Sequence, residues 1–316
     1  MDTLPNNPLF RYNPDTLIMV RKKHNLEKSE DMNKVIDILE DWIKQQNHFK
    51  KTDYTRAYLE NTIIVNKGSI ERAKAQISRL CALKSLLPTF FDGYKSRSDL
   101  LETKKYLLQA WLPRMTEENH RVYVVRVSNG ATTKCILNVY KFGILLNEYL
   151  RAHDYNDGVI VFIDFRNVNV MEFASNLNLA DLRNIMTIAM EGYDVRVKGI
   201  HFFTSSKTID VIVNIMKQVV SAKLGSRIHT HLTLDSLYKY ITPNDILPAE
   251  YGGNEESLDD LSDKLINTFT NEDNVKFFAE MAEAGVHEAL RPKDGVACFD
   301  EQSLGIAGSF RTLSVD

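Results

Sequence analysis

Three histidines, one carboxylate and one set of cations are the side chains of this 316-residue chain whose types and spacing could do chemistry. His229 and His231 alternate, so an extended backbone would point both to one face, and His201 would bring a third imidazole within reach of a zinc ion. No carboxylate or cysteine stands beside them at ligand spacing, so the expectation is three structural histidines and no metal. Asp164 closes the apolar run Val159-Ile160-Val161-Phe162-Ile163, where α/β enzymes often carry catalytic groups. No acid, base or nucleophile accompanies it, which leaves a turn hydrogen bond as its expected role. His287-Glu288-Ala289-Leu290 opens like a zinc-protease motif but has Arg291 where the second histidine must stand. Walker-type loops, glycine-rich strand-to-helix turns and a nucleophile elbow are all missing. The sequence therefore points away from an enzyme and from a bound cofactor.

The cations lie around an unusual apolar segment. Arg196 and Lys198 alternate on one strand face, and Lys223 and Arg227 are four apart, on one helical face if the helix extends that far. Four such cations could engage phosphate headgroups or simply form a solvated surface. Between the two pairs, residues 206–221 read as a helix. At 100° per residue, Ile209, Val211, Ile212, Val213, Ile215, Met216, Val219 and Val220 cover an arc of about 200°, against the ~100° stripe of an ordinary surface helix. Such a helix is either sandwiched between two layers or a lid, one part facing a lipid and another able to meet a bilayer.

The elements that must position these residues fall into two parts. The first ninety or so residues are helical by periodicity: Met32, Val35, Ile36, Leu39, Trp42 and Ile43 follow helical spacing from Ser29 to Gln45. A second helix covers roughly 53–65, Gly68 breaks it, and Ser69 caps a third that Pro88 ends. Strands then alternate with helices: strand 121–127, helix 136–150, strand 159–164, helix 179–190, strand 195–203, the helix 206–221 and strand 227–232. That order predicts an α/β fold with parallel pairs and right-handed crossovers. One more helix is expected around 275–290, after an acidic stretch.

Bulk properties limit the partners. A net charge of −3 argues against general nucleic-acid binding. No signal peptide is readable and the longest apolar runs are too short to span a bilayer, so any membrane contact is expected to be peripheral. Cys81, Cys135 and Cys298 have no Cys-x-x-Cys spacing, which suits a reducing, cytoplasmic setting.

Several strings together give the chain a family likeness. Trp42-Ile43, His48-Phe49 and Lys67 to Ala73 stand in the helical part; Gly158 to Asp164, Val195 to Phe202, Lys223 to His231 and Ile246-Leu247-Pro248-Ala249-Glu250-Tyr251-Gly252-Gly253 follow. In these the chain resembles CRAL-TRIO lipid-binding proteins, the family of cellular retinaldehyde-binding and α-tocopherol transfer proteins. The ending Gly308 to Asp316 resembles arthropod members. The resemblance implies an N-terminal helical module over 1–95, a linker helix over 96–115, a lipid-binding domain over 116–253 and a C-terminal extension over 254–316. The sheet would be mixed and mainly parallel, with a mobile lid from about Thr204 to Arg227. The implied function is a non-enzymatic intracellular carrier of one retinoid, tocopherol or carotenoid-like lipid, released at phosphoinositide-containing membranes. A phospholipid or phosphoinositide exchanger and a lipid-sensing scaffold are the alternatives. Pocket residues implied are Asn138, Phe142, Ile163, Ile185, Ile188, Val195, Ile200, Ile209, Ile212, Val213 and Met216, with Arg196, Lys198, Lys223 and Arg227 as phosphoinositide contacts. The family's lid prolines are replaced here by Thr204-Ser205-Ser206 and Gln218, and its aromatic-proline pair by Tyr193-Asp194, which predicts a straighter lid.

Overall fold

The computed structural model describes residues 3–92 and 97–291. Five helices come first: α1 (Thr16–Lys22), α2 (Ser29–Lys44), α3 (Arg56–Val65), α4 (Ile70–Leu86) and α5 (Pro88–Phe91). In α2 the apolar face becomes a core face, with Met32, Ile36, Leu39 and Ile43 buried against Leu59, Ile63, Ala73 and Ile77 of α3 and α4. Each such fully buried aliphatic contributes roughly 1.5–3 kcal/mol. Thr55 caps α3 and Ser69 caps α4, each side chain accepting a backbone N–H of the first turn. Pro88 does not simply stop α4: it occupies the first turn of α5, where its missing N–H costs nothing.

The remaining elements are α6 (Arg97–Lys104), β1 (Leu107–Met115), β2 (His120–Val127), α7 (Thr133–His153), β3 (Gly158–Asp164), α8 (Val170–Ser175) and α9 (Leu179–Thr187). After them come β4 (Val197–Phe203), α10 (Asp210–Val219), α11 (Ala222–Gly225), β5 (Ile228–His231), α12 (Leu234–Leu237), α13 (Pro243–Ile246), α14 (Leu258–Phe269) and α15 (Glu272–Ala282). The strands form one sheet in the order β1-β2-β3-β4-β5, with β1 antiparallel to β2 and every other pair parallel. The fold is thus mixed α/β with a mainly parallel sheet.

Two expectations change. The segment 96–115 is not one helix, because only α6 is helical and residues 107–115 are an edge strand. Pro113 falls where the β1–β2 register shifts, between Trp111 and Met115, and an edge strand tolerates a residue with no N–H to donate. The C-terminal helix expected around 275–290 is α15, which ends at Ala282, and a second helix, α14, precedes it. The described part of the presumed extension is also built into the body. Leu265, Ile266 and Phe269 of α14 share a cluster with Phe142, Trp111 and Tyr149, and Val286 bridges to Phe49 of the helical module. The arthropod-like string and Cys298 lie outside the described residues.

Two glycines explain the string that closes at residue 253. Gly252 has φ 79°, and a Cβ on Gly253 would fall 1.8 Å from the Leu247 carbonyl oxygen. No side chain fits at either position.

Candidate functional site

The two faces of the sheet are filled differently. On β3, Ile160 and Phe162 are buried against α12, α13 and the start of α14, whereas Val161 and Ile163 are only half-buried although their strand is central. The register joins these into rows across the sheet: Tyr123–Val161–Ile200–Ile228 and Val125–Ile163–Phe202. Both rows face the helices α8 to α11. The apolar cluster there takes Ile209, Ile212, Val213 and Met216 from the lid segment and Phe165, Phe173, Met186 and Met190 from around it. Ile163, Val195 and Ile200, also expected here from the sequence, belong to the same cluster. Val161 and Ile163 thus keep accessible surface beneath the covering helices, although their strand is central.

Four residues of the expected lining stand differently. Ile185 and Ile188 pack with Tyr193 and Ile144 in an adjoining cluster, joined to the first through half-buried Val195. Phe142 turns the other way, its ring 5.4 Å from that of Phe269. Asn138 is half-buried on α7, between Leu137 of one cluster and Val139 of the other. Sequence reasoning did not name Tyr123, Val125, Val161, Phe165, Phe173 or Met190. The alternation Tyr123/Val125 and Val161/Ile163 carried that signal for the strands; nothing local distinguished the helical residues.

The lid is not a single straight helix. A 3-10 turn, Lys207–Ile209, leads into α10, which stops at Val220 with an extended backbone (ψ 159°), and Ser221 caps α11. A bend therefore occurs without the family's proline, correcting the expected straight lid. It also takes Lys223 and Arg227 off the axis of α10. On α10, Ile212 and Val213 point inward, while Val211, Ile215 and Val219 form a half-exposed stripe along one edge. Met171 of α8 and Leu179 of α9 are exposed nearby on helices that pack against the lid.

The cations converge on one carboxylate. Asp157, buried just before β3, receives Lys23 Nζ at 2.7 Å, Arg196 Nη1 at 2.8 Å and Lys198 Nζ at 3.1 Å. Burial alone would raise the Asp157 pKa, but hydrogen bonds from His120, Lys23 and Lys198 with the charge of Arg196 hold it far below the usual carboxylate range. Gly158 makes the convergence possible, since its φ is 147° and a Cβ would meet the Lys198 stem at 2.5 Å. Arg227 donates to the Val197 carbonyl, so it reaches the same end of β4, and Lys223 is exposed on α11. The three histidines stack behind the lid face: His201 lies 5.1 Å from His229 and 5.2 Å from His231 between centroids. His201 Nδ1 and His231 Nε2 are 2.9 Å apart in a hydrogen bond. Among the described residues no group of His, Cys, Asp or Glu side chains is arranged to hold a metal. Asp164 accepts from Arg166 and from the Tyr251 hydroxyl, a turn role with no catalytic partner.

Known proteins resemble this chain in sequence or fold. Alpha-tocopherol transfer protein-like of Mus musculus is 23% identical over 273 residues, covering 84% of this chain and 78% of the relative. The Homo sapiens protein of the same description is 22% identical over the same shares. The crystal structure of Sfh5 superposes with a TM-score of 0.52 at 12% identity, covering 80% of this chain and 97% of that one, a likeness of fold. The family described as CRAL/TRIO domain matches residues 105–253, which run from β1 through the lid to Gly253. Residues 105–253 of this chain are a CRAL/TRIO domain.

Proposed function

We propose that the chain is a carrier, not an enzyme, that encloses one small hydrophobic lipid between the sheet and the lid and releases it at an anionic membrane. The observation that carries this reading is the half-buried pair Val161 and Ile163 in the middle of the sheet, covered by an apolar helix segment with a bend at Val220. Covering about 400 Å² of apolar ligand surface would give on the order of 10 kcal/mol before ordering costs. The relatives described as alpha-tocopherol transfer protein-like favour a tocopherol-sized ligand, and retinoids and carotenoid-like lipids have similar chemistry. Arg196, Lys198, Lys223 and Arg227 are the headgroup contacts we assign, and Ile163, Val195, Ile200, Ile209, Ile212, Val213 and Met216 the lining. The same reading puts the protein in the cytoplasm with peripheral membrane contact; among the described residues no helix is long and apolar enough to cross a bilayer.

Native mass spectrometry followed by solvent extraction tests the proposal. One stoichiometric isoprenoid or retinoid is the expected result. A bound phospholipid would instead make the chain an exchanger. A protein that neither carries nor takes up any hydrophobic lipid would overturn the carrier and favour a scaffold.

A further inference from the structure

Helix α1 presents an outward face that the fold does not use. Thr16, Val20 and Arg21 are buried, while Ile18 and Met19 are 61% and 42% exposed, the only adjacent pair of large apolar side chains exposed among the described residues. Helical spacing sets Lys22 four residues from Ile18 and Lys23 four residues from Met19, about 6 Å along the axis. Lys22 has no acidic partner among the described residues. Lys23 is held at Asp157, beside Arg196 and Lys198, and Lys67 lies close enough for its charge to act on His24 between them. Asp157 and Glu118 are the carboxylates that these cations meet. Asp15 is exposed one turn before the pair, so five cations stand against three carboxylates and the net charge on this side is positive.

An apolar pair flanked by lysines on one helical face is the chemistry of an interfacial membrane contact. We propose that α1 is a membrane-docking element: Ile18 and Met19 enter the headgroup boundary of an anionic bilayer while Lys22 and Lys23 extend the cation cluster at Arg196 and Lys198 onto its surface. This rests on the carrier reading only in naming a membrane as partner.

Flotation of the full chain with phosphatidylcholine vesicles, with and without phosphatidylserine or phosphatidylinositol bisphosphate, tests it. Wild type is expected to float with the anionic vesicles. Lys22→Glu should weaken that binding about fivefold or more, since one lysine near an anionic surface is worth about that factor. The double variant Ile18→Ser, Met19→Ser should weaken it about tenfold. Both positions are exposed, so urea midpoints and the content of extracted lipid should stay at wild-type values. Wild-type binding by both variants, or no flotation of wild type with anionic vesicles, would overturn the docking role. Neither result touches the carrier, which stands or falls on the extracted lipid.

Discussion

Gly158 shows how much a single residue can decide here. Its φ of 147° is strained for any side chain, and a methyl group would stand 2.5 Å from Lys198 Cε and 2.6 Å from the Arg196 carbonyl oxygen. Gly158→Ala is therefore expected to lower stability by about 1–3 kcal/mol in urea denaturation and to pull Lys198 away from Asp157. Glu148 is a second such point. Its carboxylate accepts from Lys84 at 2.6 Å, from the Tyr193 hydroxyl at 2.7 Å and from the Tyr58 hydroxyl at 3.0 Å, in a site where both ion-pair partners are almost fully buried. Glu148→Ala would leave the buried Lys84 ammonium donating to the neutral Met281 carbonyl without its carboxylate, at a cost of about 3–5 kcal/mol measured the same way. Glu148→Gln, which keeps an acceptor, should cost less. Neither role was legible in the sequence. Asp157-Gly158 reads as a plain turn, and Glu148 as one polar residue on an amphipathic helix. What gives them meaning is a partner brought from another element, which no local pattern records.

At the scale of elements, β4 and β5 carry both the lid and the histidines. The lid connects these two strands, and its ends are stitched to them: Thr204 N–H donates to the His231 carbonyl, and Ile200 N–H to the Arg227 carbonyl. On the opposite face the rings of His201, His229 and His231 stack with Tyr240, and Ser236 of α12 pairs with His231. Gly199 leaves room for the His201 ring. Burial first, then neighbouring imidazoles, push His201 down to about 3 and His231 to about 4. Both are neutral in the fold, whereas an unfolded histidine titrates near 6.5. The unfolded chain therefore binds more protons below that value, and stability should fall as pH drops from about 6.5 toward 4, with no such loss above it. Urea midpoints across that range check the sign, and His231→Gln should flatten the slope; a flat wild-type profile would contradict the buried neutral pair. The alternation of His229 and His231 was readable and gave their shared face correctly. The edge strand β1 was not: Pro113 and a broken register hid it, and only pairing with β2 makes it a strand.

For the whole molecule, the matched domain and the folded body end at different places. The family match stops at Gly253, yet α14 and α15 lie against the sheet and α7, and Lys50 N–H donates to the Gly285 carbonyl where the chain meets the helical module. The module is tied in from the other side as well. Arg21 and Glu60 form a buried pair that Tyr155 joins, and Asn61 donates to the carbonyls of Arg151 and Asp154. Helical periodicity revealed the module, but its fusion with the lipid domain depends on polar residues scattered along the chain, which carry no period. Phe269 tests this continuity. It is 2% exposed, and its ring lies 4.9 Å from Phe278, 5.1 Å from Tyr149 and 5.4 Å from Phe142. If residues beyond 253 were an appendage, Phe269→Ala would leave the unfolding of the lipid domain unchanged. As one cooperative body, the protein should lose about 3–5 kcal/mol, with far-ultraviolet dichroism and intrinsic tryptophan emission shifting together to a lower urea midpoint. Trp42 in the module and Trp111 on β1 report from two different clusters of that body, so separate transitions for the two would divide it.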